Sequence, residues 1–305
     1  MALAHAPGPA GNLWLSWNLD PVLLLGLAGF TAAYFYGIGP LRRRYGLAPD
    51  VNRGQVALFL TGTAVFALAL VSPLDTLGDE YLFSAHMVQH MLIAVVAPPL
   101  WLLGTPEWLL APLFQRRAVA NAARVLTYPV VAFALFNGDL WLWHLPALYG
   151  ATLESEALHI FEHLTFVTTA VVFWWPVLGP VTATRQLSLG AGVLYLFLAC
   201  QPMVALGALL TFAAVPLYQP YVEAPRIWGS TPVGDQQLGG LIMWLPTNIP
   251  YLATLSALFF KWVGEQDWRE RAAAGEFALP VEAAAESDDD TERRAEKGIA
   301  LPSAE

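Results

Sequence analysis

Residues 159–163 read "HIFEH". The H-x-x-E-H spacing is that of inverted zinc-protease helices, in which two histidines hold a metal and the glutamate activates water. Upstream, "HMVQH" at 86–90 repeats the same histidine interval. Histidines at i and i+4 share one helix face. Two neighbouring helices of this kind can aim His86, His90, His159 and His163 at a single point, and His144 is a fifth candidate. Imidazole suits zinc, copper, iron and nickel. Met87 and Met91 form a second i,i+4 pair beside the first histidines, with Met203 and Met243 further along the chain. Thioether donors would favour Cu(I).

Three carboxylates fall inside or at the ends of apolar stretches: Asp139, Glu162 and Asp235. Ionisable groups at membrane depth are costly and mark functional positions. Asp139 and His144 are five residues apart, about 140° around a helix, so they share a face only if the helix breaks, as Pro146 permits. Asp139 and Glu162 are expected to orient imidazole N–H groups. Asp235 opens "GDQQLGGLIMW" and is expected to cap a loop or bond to a neighbouring helix.

The elements that must position these residues are membrane helices. Of 305 residues, 56% are hydrophobic and only 13% charged, with a mean hydropathy of +0.51; soluble domains carry about 25% charge. Seven apolar stretches approach the roughly 20 residues needed to span a bilayer, near 21–39, 55–73, 82–103, 127–148, 157–178, 189–213 and 238–262. Their continuity excludes a transmembrane barrel. The expected architecture is an all-α, polytopic membrane protein with a seven-transmembrane helix bundle at 21–264. An N-terminal arm occupies 1–20, and an acidic, disordered cytoplasmic tail occupies 265–305.

The net charge of −9 resides mostly in that tail. Nothing supports nucleic-acid binding. The single cysteine, Cys200, permits no internal disulfide, and the N-terminus lacks the pattern of a cleaved signal peptide.

The basic residues orient the bundle. With seven spans, 14 of the 15 Lys and Arg fall on one side, and Arg226 stands alone on the other. By the positive-inside rule the N-terminus is outside and the C-terminus cytoplasmic. His86, His90, His144, His159 and His163 then all lie in the outer half of the membrane. The acidic loop residues Asp75, Asp79, Glu80, Glu154, Glu156 and Glu223 share that side and should attract cations.

Four segments carry a family resemblance: "SAHMVQHMLIAVVAPPLWLLGTP" at 84–106, "NGDLWLWHLPALY" at 137–149, "LHIFEHLTFVTTAVVFWWPVLGP" at 158–180 and "DQQLGGLIMWLP" at 235–246. Over roughly residues 20–264 the chain resembles the multi-pass CtaG family of cytochrome c oxidase assembly factors. The resemblance implies a multi-pass protein of the bacterial plasma membrane that matures a haem–copper oxidase through delivery of copper. It implies oxidase subunits as partners and a copper donor on the outer face. The family motifs fall on His86, His90, Asp139, His144, His159, His163 and Asp235. The leading reading is a copper-handling assembly factor that is not an enzyme. The alternatives are a membrane-embedded zinc metalloprotease or hydrolase using "HIFEH", a haem-binding membrane cytochrome, and a scaffold whose histidines only fasten helices.

Overall fold

In a computed structural model, residues 13–182, 184 and 186–274 are described. They are helical, with no strand among them. The helices are α1 Pro21–Tyr45, α2 Arg53–Val71, α3 Pro73–Glu80, α4 Phe83–Gly104, α5 Glu107–Phe114, α6 Arg117–Leu126, α7 Pro129–Trp143, α8 Pro146–Glu154, α9 Glu156–Leu178, α10 Leu189–Ala199, α11 Gln201–Phe212, α12 Gln219–Glu223, α13 Pro232–Trp244 and α14 Asn248–Ala273.

Among the described residues six helical stretches are long and apolar enough to cross a membrane, consistent with a multi-pass membrane protein. The expected fourth span, 127–148, is not one straight helix. Pro129 starts α7 and Pro146 starts α8, because proline suits the first helical turn but not the interior. The 15 residues of α7 rise about 22 Å at 1.5 Å per residue, short of the roughly 30 Å hydrocarbon layer. With α6 it forms a pair bent by 67°, and counting that pair as one span gives seven. In the last expected span, 238–262, α13 ends at Trp244 and α14 begins at Asn248, with Pro246 between, but the two count as one candidate stretch, Pro232–Ala273.

The chain divides at residue 258 into two units. Within Met1–Leu258, α4 is the central helix. It packs on α2, α3, α9 and α13, and 72% of its apolar window is buried. The core around it includes Phe83, Met87, Ile93, Phe166, Phe173, Trp174, Met203 and Met243. Helix α9 is two-faced. Glu162, Phe166, Ala170 and Phe173 are buried, whereas Ile160, Phe161 and Leu164 are exposed, as expected of a helix with one side to lipid. In the second unit, the described residues are the end of α14, where Arg271 pairs with Asp267 one turn away at 3.2 Å. Residues 265–273 of the expected disordered tail instead continue α14; from residue 275 the tail lies outside the described residues, as do residues 1–12 of the arm and Arg185.

Candidate metal centre

Helices α4 and α9 begin with the same register. His86 and His90 are the fourth and eighth residues of α4, and His159 and His163 are the fourth and eighth of α9. The rings meet in matched pairs: His86 lies 5.3 Å from His159, and His90 lies 5.3 Å from His163. That matching requires the two helices to run parallel at this end. His86 Nε2 and His90 Nε2 are 2.7 Å apart. One nitrogen from each of the four histidines lies within 4.8 Å of the others.

Several contacts fix α4 at this end. Leu82, the residue before its first turn, offers no side-chain cap. Asp235, from the first turn of α13, supplies one. Its carboxylate accepts from Phe83 N at 2.7 Å, Ser84 N at 3.2 Å and Ser84 Oγ at 2.5 Å. A carboxylate at a helix N-terminus satisfies orphan N–H groups and the helix dipole together.

One turn further along, Gln89 donates to Ala69 O at 3.2 Å and to Asp75 Oδ1 at 2.6 Å. This sets the rotation of α4 against α2 and α3. Gly78 on α3 permits close approach. A Cβ there would lie 2.9 Å from His86 Cα and 3.0 Å from His86 N.

A carboxylate stands over the rim of the cluster. Asp79 Oδ1 is 3.4 Å from His86 Nδ1, and Oδ2 is 3.5 Å from His159 Nδ1. Asp79 is 30% exposed and His159 14%, whereas His86 and His90 are essentially sealed. His163 is also partly exposed, so the cluster reaches the surface along its α9 histidines, beside Asp79. On the closed side, Glu162 is fully buried and its Oε1 lies 4.0 Å from His90 Nε2. His159 Nε2, His163 Nε2 and both Glu162 oxygens are buried without a hydrogen-bond partner among the described residues. Buried polar atoms are almost always partnered, so this convergence fits a ligand that itself accepts lone pairs. Two imidazole nitrogens on one tetrahedral ion sit about 3.4 Å apart, given bonds of about 2.1 Å.

The description "Cytochrome c oxidase caa3 assembly factor" belongs to a family model that matches residues 32–265. The chain belongs to that family. Among curated proteins it is similar to two uncharacterised proteins of Mycobacterium bovis and Mycobacterium tuberculosis, each 28% identical over 277 residues. A third, from Mycobacterium leprae, is 26% identical over 276 residues. In each case 83% of this chain and 40% of the relative are covered, so the chain spans about two-fifths of the length of the relatives it matches. No solved structure matches.

The remaining sequence candidates lie outside the four converging nitrogens. His144 is buried at the end of α7, with Nδ1 2.7 Å from Leu140 O and its ring 6.2 Å from that of Tyr149. It is outside the group of four converging nitrogens. Asp139 accepts from Trp143 Nε1 at 2.9 Å and Thr169 Oγ1 at 3.0 Å, tying α7 to α9. Met91 Sδ accepts the Thr247 hydroxyl, and Met87 packs against Gly239 of α13.

Sequence reasoning missed the specific parts of Asp79, Gln89 and Gly78. Asp79 stood among six loop carboxylates, and its position seven residues before His86 was the available signal. Asp75 lies on the same connecting helix, outside the spans. Burial, then the charge of Asp79, pushes its carboxyl up to about 7, although Asn18 and Gln89 donate to it.

Proposed function

We propose that this chain takes copper as cargo at the His86–His90–His159–His163 cluster and passes it by ligand exchange to a subunit of a haem–copper oxidase in the bacterial plasma membrane. The observation that supports this reading is the converging tetrad: four imidazoles at matching positions on two parallel helices, with unpartnered nitrogens and one partly open side. Imidazole binds copper well. Asp79 would orient His86 and His159, as metal-bound histidines are commonly oriented by a carboxylate.

The family description, which names oxidase assembly, supplies the partner class. The distribution of basic residues supports an N-terminus outside, a C-terminus in the cytoplasm and a cluster facing outward. A copper donor would then approach the Asp79–His159 side. The protein would hold and release its ion and turn over no substrate. Two features weigh against the alternatives. A hydrolase would need Glu162 at water, and it is fully buried. A bis-histidine haem would need a macrocycle between rings, whereas these ring centroids stand only 4.1–6.3 Å apart.

The test is the double substitution His86→Ala/His90→Ala in the native host. Copper per oxidase complex and oxidase activity should both fall, with normal levels of this protein in the membrane. Full copper loading and activity in that strain would contradict the reading.

A further inference from the structure

Glu162 is fully buried beside the histidine cluster, and neither of its oxygens has a hydrogen-bond partner among the described residues. Leaving a carboxylate in that condition is expensive unless an opposite charge compensates it. His90 Nε2, one of the four converging nitrogens, lies 4.0 Å from its Oε1, and the Thr152 hydroxyl also approaches the carboxylate. Glu162 precedes His163 in α9 and follows His159 by three residues. The helix therefore carries it round toward the α4 side, behind the tetrad from the open rim. Of the soft donors nearby, Met91 Sδ accepts the Thr247 hydroxyl, and Met87 Cγ lies against Gly239. The donors around the cluster are thus imidazole nitrogen and carboxylate oxygen, with Asp79 at one side and Glu162 at the other.

We propose that Glu162 is a fifth donor of this site and that it makes the occupant a divalent, imidazole-preferring ion, so that copper is held as Cu(II). This rests on the reading of the tetrad as a copper site. Two carboxylates flank four imidazoles, and a doubly charged ion matches them. A singly charged ion would leave the two flanking carboxylates with a net negative charge beside a largely desolvated site, at a cost that rises in a low-dielectric setting. Oxygen donors also suit divalent ions better than Cu(I), which favours sulfur.

The experiment uses the full chain in detergent, as wild type and as Glu162→Gln, with helicity and monodispersity checked for both. Cu(II) and, under reductant, Cu(I) affinities are read by competition with chromogenic chelators. Glu162→Gln should weaken Cu(II) at least about tenfold and Cu(I) by less than about threefold. The electron paramagnetic resonance spectrum of the Cu(II) form should also differ between the two proteins. Should the variant not fold, X-ray absorption on the wild-type Cu(II) form decides: a light donor beyond the four imidazoles supports the assignment, and imidazole alone overturns it. Equal losses for both ions, or no loss for either, would overturn the role of Glu162 and leave the histidine site standing. No copper bound by the wild type would overturn both.

Discussion

Two carboxylates sit on helices that pack against each other, α7 and α9, and they are treated in opposite ways. Asp139 on α7 is half-buried and saturated: Trp143 and Thr169 donate to it at 2.9 and 3.0 Å. Glu162 on α9 is fully buried and has no hydrogen-bond partner among the described residues. Threonine hydroxyls are available along the same helix, so a bonded arrangement is chemically accessible there. The contrast separates a carboxylate that fastens helices from one that faces a cluster of lone pairs. At membrane depth both are costly, but only the first is offset by contacts within the fold.

The contrast can be attacked from the packing side. Gly78→Ala should give the largest effect. Its Cβ would meet the backbone of His86 at 2.9 Å, so α3 must move away from α4. Overpacking of this kind costs about 1–3 kcal/mol. Copper retention should fall sharply while the α7–α9 contact at Asp139 is unaffected, as read by metal content and by Trp143 fluorescence.

The next test sets the two carboxylates against each other. Asp139→Ala should destabilise the fold by about 1–3 kcal/mol, the cost of donors losing a charged acceptor, read as a lower unfolding temperature in detergent, and should leave copper binding unchanged. Glu162→Gln, measured without copper, should leave the unfolding temperature unchanged or raise it. Equal destabilisation by both would erase the distinction.

Asp79→Asn should weaken copper affinity by about tenfold, the usual cost of losing a carboxylate that orients metal-bound imidazoles. The smallest effect concerns Asp75. Its carboxyl is raised to about 7 in the folded protein, against about 3.9 unfolded. The folded state therefore binds the extra proton between these values, and stability should decline as pH rises from about 4 to 7. Asp75→Asn should flatten that slope in a pH series of unfolding temperatures.

The sequence made four of the histidines legible because their i,i+4 spacing follows from helical periodicity alone. It placed Asp235 as a cap or interhelix bond, and the structure has it closing the N-terminus of α4. Asp79 was not legible as the rim carboxylate, because its reach to both His86 and His159 depends on how α3 folds back over α4. Glu162 was read as an orienting group, and no spacing rule reports that its oxygens lack partners. The fourth span was drawn too straight. The hydropathy window runs through Pro129 and Pro146, whereas the backbone breaks at both.

The central claim is tested most directly by plasma mass spectrometry of the detergent-purified protein after incubation with copper, with an absorption spectrum of the same sample. His159→Ala/His163→Ala is run in parallel. The account predicts about one copper per chain in the wild type, by the one-ion donor count, no Soret band, and loss of the copper in the double variant. Copper retained undiminished by that variant, or no metal bound by the wild type, would contradict it.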